Sequence, residues 1–416
     1  MEIIYRKEEV YKLENGLEIH YFPYPDYHTN YMGFVIPFGA NMSDYLIDGK
    51  RVKTGIAHFL EHRMFSSEDG DFSEEFARIG AYSNAFTYVD RTSYFFSTNY
   101  DAMEAFKLLF KLVTEFHSTE EKVINERNII LREKGDSESN PSQSLNLLLN
   151  EKLNDLPSLK YPIIGTKNDI ESTTKEDLLL AYETFYRMSN MLLIIAGNVD
   201  INEIISYINE NYKEPKFFHK LERIPYEEDY NKSFKRVIKI KKDVAENIQT
   251  LSIKADLKEF KQKYSDAIYD KIANVTLSLL FDIGSGFNDI FNELDVGQNS
   301  LSFSGFELDD ICSLSFRYLG KTNNKPNKYI LDALENPEKY INTRDIELFE
   351  KYNLGRKFKM LQNMSYVHYE ALINLERDHD MFESIKEDFE VTIKEIKEFA
   401  NVLRNGVIIK GEVIPK

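Results

Sequence analysis

"GIAHFLEHRMF", residues 55–65, sets His58 and His62 four positions apart with Glu61 between them. Ile56, Phe59, Leu60 and Met64 recur in the same stretch at helical spacing. On a helix, residues i and i+4 share a face, so the two imidazoles point the same way, about 6 Å apart at Cβ. That separation lets both reach one tetrahedral zinc ion. Glu61 then stands beside the same metal as a general base, in the inverted HxxEH order. The plain alternative is two surface histidines on a solvated helix. Phe59 and Leu60 require burial, however, and so place the motif at the edge of a core. Zinc needs a third protein ligand and an open position for water.

The flanking chain mixes strands and helices. "GLEIHYFPYP" and "YMGFVIPFGA" read as strands before the motif, and "SEEFARIGA" as a short helix after it. "YSNAFTYVDRTSYFFSTN" reads as a hairpin turning near Asp90-Arg91. Two long helices follow. The second, over 119–136, opens with Ser118 and Glu121 in the spacing of a capping box and must end before Pro141. "SNMLLIIAGNVD" is an apolar strand, and a further helix covers 201–211. The second half runs through strands, a long helix over 261–282, strands at 301–318 and helices over most of 345–403. Its element order repeats that of the first half without residue-level similarity.

A chain of 416 residues exceeds one ordinary core, and two domains of about 200 residues are expected. The expected division is a zinc-binding domain at 1–215, a proline-containing, charge-dense linker at 216–232, and a second domain without a metal at 233–416. The fold class is α+β: two similar domains, each a mostly antiparallel sheet packed against helices. No run approaches the roughly 18 apolar residues of a membrane span, and the charged N-terminus lacks a secretory h-region. The single cysteine, Cys312, excludes an internal disulfide and fits a reducing compartment, so a cytoplasmic location is expected. A net charge of −17 argues against nucleic acid and is compatible with cationic peptides.

The third zinc ligand should be an acid on another element. Glu126 and Glu133 are seven residues apart on one helix face, but spacing does not choose between them and Glu120 or Glu121. Four stretches occur in order: "GIAHFLEHRMF", "GAYSNAFTYVDRTSYFF", "ERNIILREKGDSESNPSQ" and "FYRMSNMLLIIAGNVD". Together they resemble the inverzincin zinc peptidases, the family of pitrilysin, insulin-degrading enzyme and mitochondrial processing peptidase. The likeness is greatest to the small bacterial two-domain members of the zinc-carrying subunit type. The resemblance implies Glu133 as the third ligand and Glu126 as the acid that orients a histidine. It implies half of a clamshell, and an endopeptidase that encloses short unfolded peptides; a role in peptide processing or maturation is a narrower form of that expectation. The substrate would add as a strand beside Asn84, Ala85 and Phe86.

In family members that act alone, the second domain carries an Arg and a Tyr that hydrogen-bond the substrate carbonyl. The matching segment here, 283–304, places Asp295 at the Arg position and Ser300 or Leu301 at the Tyr position. An aspartate would repel a developing oxyanion. The resemblance therefore implies a heterodimer whose sister subunit supplies the Arg and Tyr. Arg317-Tyr318 or Tyr329 as substitutes, a homodimer, and a non-catalytic assembly or peptide-binding subunit are the alternatives.

Overall fold

Strand Leu192–Gly197, "LLIIAG", is buried along its whole length, the mark of a strand covered on both faces. It is central to the first of two main sheets. The computed structural model describes residues 8–66, 70–226, 228–232, 237–282, 301–320, 325–377 and 389–416. The first half contributes β1 (Glu9–Lys12), β2 (Glu18–Pro23), β3 (Asn30–Ile36), β4 (Tyr45–Ile47), β5 (Lys50–Arg51), β6 (Ala81–Thr87), β7 (Thr92–Thr98), β8 (Leu192–Gly197) and β9 (Leu221–Arg223). The second half contributes β10 (Ile238–Lys242), β11 (Ile248–Asp256), β12 (Ser302–Leu308), β13 (Ile311–Leu319) and β14 (Val407–Pro415).

The large sheets run β1-β2-β8-β3-β7-β6 and β10-β14-β11-β13-β12. Apart from β1, they share one plan. In each, the first strand pairs parallel with the last (β2 with β8, β10 with β14). Each last strand then pairs antiparallel with the strand that begins a three-stranded antiparallel run. The repeated element order of the sequence is therefore a repeated topology. A small sheet, β5-β4-β9, takes up residues 221–223, so part of the stretch expected as a linker is a paired strand.

Two compact units result, and neither is contiguous in the chain. One holds residues 1–135, 157–226 and 359–381; the other holds 136–156, 227–358 and 382–416. A helix from each half thus belongs to the other half's unit. In the first unit, helices α1 (Ile56–Met64), α2 (Phe72–Arg78) and α3 (Ala102–Thr114) join the core of one sheet face. Helix Met364–Asn374 lies against β8 and β3. In the second unit, α5 (Pro141–Leu153) lies against β14 through Leu145, Leu149 and Leu153, in one cluster with Val407, Ile409 and Val413. Both visiting helices settle on a glycine. A Cβ at Gly33 would come within 2.7 Å of Leu372, and one at Gly411 within 2.7 Å of Leu145. The absent side chains make room for the leucines.

His368, on the helix visiting the first unit, is buried with its Nε2 unbonded among the described residues, beside the rings of Tyr31 and Phe95. Burial pushes its pKa down to about 3. The unfolded ring takes a proton near pH 6.5, so the unfolded state binds more protons between these values. Stability should therefore fall as pH drops from about 6.5 towards 3. His368→Leu should flatten that decline, by up to about 1.4 kcal/mol per pH unit; urea unfolding of both proteins at pH 7 and pH 5 measures it.

Candidate metal centre

Helix α1 buries the stripe Ile56, Phe59, Leu60, Arg63 and Met64 and leaves His58, Glu61 and His62 half-buried on its other side. The next long helix, α4 (Glu120–Ser139), carries Glu126 and Glu133 two turns apart. The structure brings His58, His62 and Glu133 together: one donor atom from each lies within 4.8 Å of the others. The Nε2 atoms of His58 and His62 each stand 3.7 Å from a Glu133 carboxylate oxygen. These separations are too long for hydrogen bonds. Zinc bonds of about 2.0–2.2 Å in a tetrahedron would set neighbouring donors about 3.4 Å apart. Two imidazoles and one carboxylate are also the donor chemistry of a catalytic zinc, so the residues present fit the ion. Glu120 and Glu121, the other acids open on spacing, sit exposed in the first turn of α4.

Glu126 lies beneath this trio. One carboxylate oxygen is 3.0 Å from His62 Nδ1, and the other accepts from Arg63 Nη1 at 3.1 Å. Burial raises the Glu126 pKa, but the bond from His62 and the nearby positive charges outweigh it and hold the group below its usual value. An ionised Glu126 makes His62 Nδ1 the protonated nitrogen and leaves Nε2 free to ligate. For His62 itself, burial disfavours the charged ring, and the contact with Glu126 outweighs it, so its pKa is raised. His58 moves the other way: burial, then the charge of His62, push it down to about 4, which keeps it a neutral ligand. Glu61 accepts from the Thr87 hydroxyl at 2.5 Å. Its pKa is raised, chiefly by burial and despite that hydrogen bond.

Asn84, Ala85 and Phe86 lie in β6, which has no further strand on its outer side among the described residues. Asn84 Oδ1 accepts the Ala85 N–H at 2.9 Å, and its amide donates to the Tyr82 hydroxyl. Phe86 packs near Tyr88 and Tyr369. Asp295 and Ser300 lie outside the described residues, and Leu301 is buried. Arg317 and Tyr318 are neighbours on β13, so their side chains leave opposite faces of the sheet. Tyr318 is fully buried in the second core, and Tyr329 is packed against that core. Arg317 and Tyr318 therefore cannot act together from one face.

The sequence reading missed Thr87 and Arg63. Thr87 carries no signal of its own. Arg63 does, because an arginine on a buried helical stripe needs a buried partner. The capping box expected at Ser118 and Glu121 is not formed. Thr119 takes the capping position, accepting from the Lys122 N–H, while the Ser118 hydroxyl accepts from Arg63 Nε.

Comparison with known proteins gives the family and the fold. Residues 47–167 match the family model described as insulinase (peptidase family M16), and residues 172–281 match that of the peptidase M16 inactive domain. The chain belongs to the M16 peptidase family. An uncharacterized zinc protease of Bacillus subtilis is 28% identical over 97% of this chain and 96% of its own. A mitochondrial-processing peptidase beta subunit of Rattus norvegicus is 28% identical over 40% of this chain and 35% of its own. Among solved structures, an M16-like peptidase from Alicyclobacillus acidocaldarius superposes with a TM-score of 0.83 over all of both chains, at 24% identity. A Helicobacter pylori protease gives 0.81 over 99% of this chain and all of its own, at 18% identity. These last two show the same two-domain M16 fold. No described helix is long and apolar enough to cross a membrane.

The donor set predicts uptake of one zinc per chain. Glu133→Gln or His62→Ala should weaken zinc binding by more than the ~10–100-fold typical of losing an outer hydrogen-bond partner. Chelator competition against the unaltered chain measures this, and unchanged affinity in both variants would place the metal elsewhere.

Proposed function

We propose that this chain is a zinc-dependent endopeptidase acting on short, unfolded peptides held in an enclosed chamber, and that it is the catalytic subunit of a heterodimer. The observation that carries the reading is the convergence within 4.8 Å of His58 and His62, on the helix that also bears Glu61, with Glu133 of α4. His58, His62 and Glu133 would hold the ion. Bound there, zinc supplies Lewis-acid polarisation of the scissile carbonyl and brings the pKa of water near 7.

The chain's own groups do the rest. Glu61 takes the proton of the attacking water on its carboxylate and later delivers it to the leaving amine. Burial raises its pKa, which strengthens it as a proton acceptor. The Thr87 hydroxyl holds Glu61 in one orientation. Glu126 fixes the tautomer of His62. The peptide adds to the outer edge of β6, where Asn84, Ala85 and Phe86 meet it. For that pairing Asn84 would swing away from the Ala85 N–H and free it for a substrate carbonyl.

Glu61→Gln should cut turnover by about 10²–10⁴-fold and leave zinc bound. Full activity in that variant would refute the mechanism. A non-catalytic assembly or peptide-binding subunit is the competing reading, and it expects no zinc after gentle purification.

The heterodimer rests on the sequence match that puts Asp295 at the Arg position of the resembled family, and on the opposed faces of Arg317 and Tyr318. A sister chain of the same fold, lacking HxxEH but carrying the Arg and Tyr, would complete the site. Mixing the two purified chains should raise cleavage of a quenched peptide by about 10²-fold or more. Equal rates for this chain alone and for the mixture would rule out the split site.

A further inference from the structure

We propose that Arg63 is a positioning residue for the metal site: its guanidinium fixes the Glu126 carboxylate and thereby aims His62 and sets the register of α4. The inference rests on the zinc reading above and adds a residue to it.

Three observations carry it. Arg63 is 5% exposed and occupies the core stripe of α1, between Leu60 and Met64, where burial alone calls for an aliphatic side chain. Its Nη1 donates to Glu126 Oε2 at 3.1 Å, while Glu126 Oε1 stands 3.0 Å from His62 Nδ1, so one carboxylate is shared between adjacent residues of the same helix. Its Nε reaches the Ser118 hydroxyl at 3.4 Å, just ahead of α4. Arg63 therefore grips the helix bearing Glu133 at two points, before its start and in its second turn.

Stability is a poor explanation for such a group. Replacing a buried ion pair by well-packed apolar residues is often neutral or stabilising. Arg63 also keeps Nη2 buried without a partner among the described residues. Geometry explains it better. With one oxygen held by Arg63, the other oxygen of Glu126 has a single orientation towards His62, and the imidazole turns its Nε2 to Glu133. Glu133 lies two turns beyond Glu126 on α4, so the same clamp places its carboxylate between the two histidines. A lysine could supply the charge but not the planar fork that spans Glu126 and Ser118.

The test is a double-mutant cycle on zinc affinity, with the melting temperature of each metal-free protein measured in parallel. Arg63→Met should weaken zinc about tenfold or more, and Arg63→Lys should fall between it and the unaltered chain. In the Glu126→Gln background, Arg63→Met should cost no more than about twofold, because its effect runs through the carboxylate. That double variant leaves neither buried charge unpaired, which keeps the cycle readable if Arg63→Met alone folds poorly. Affinity within twofold of the unaltered chain for Arg63→Met would overturn the proposal. So would full multiplication of the two losses in the double variant, or a lowered melting temperature with unchanged zinc affinity. An unaltered chain that takes up no zinc would instead sink the zinc reading itself.

Discussion

The carboxylate of Glu126 joins the two helices on which the site depends. It meets His62 through one oxygen and Arg63 through the other, and both of those residues belong to α1. A carboxylate this sheltered must be paired, and the pair fixes how α4 lies against α1. Glu133 follows two turns later on the same helix face and arrives opposite His58 and His62. Without that contact, the three donors would be acids and histidines on two adjacent helices with no reason to converge.

The sheet beneath supplies the second requirement, a fixed platform beside an open edge. Helix α1 packs against β6 and β7, and β6 is the last strand of the sheet. Thr87 at the end of β6 reaches Glu61, so the acid proposed as general base is tied to the edge strand proposed to take the peptide. The proposed metal site and the proposed peptide edge are therefore set by one piece of structure. Both sheets use the same strand plan. Among the described residues, one cluster of metal-ligating side chains is found, and it lies in the first unit.

The M16 family assignment and the local geometry support each other without being the same argument. The family accounts for the order of motifs along the chain. The distances account for why those motifs suit the proposed chemistry: Nε2 atoms that face a carboxylate, a His62 tautomer fixed by Glu126, and in Glu61 a proposed general base whose affinity for a proton is raised by burial. The model described as inactive covers 172–281, away from every residue of the proposed zinc centre.

Much of this was legible in the residues. HxxEH at helical spacing, the hairpin at 81–98, the apolar strand at 192–197 and the E-x6-E helix follow from periods of 3.6 and 2 that any segment carries within itself. The two histidines and Glu61 follow from that local pattern, because i and i+4 share a helix face whatever surrounds them. The choice of Glu133 over Glu120 and Glu121 did not, and resemblance had to supply it. Tertiary structure brings Glu133 to the two histidines, by placing one turn of α4 rather than another against α1. Tertiary structure also decided the exchange of helices between the two units, since Gly33 and Gly411 become sockets only when Leu372 and Leu145 arrive from distant parts of the chain. It gave Thr87 and Arg63 their roles for the same reason: a hydroxyl or a guanidinium has no function until a specific carboxylate is brought within hydrogen-bonding distance. Periodicity is local and survives in the sequence, whereas partnership across space depends on packing that no single segment encodes.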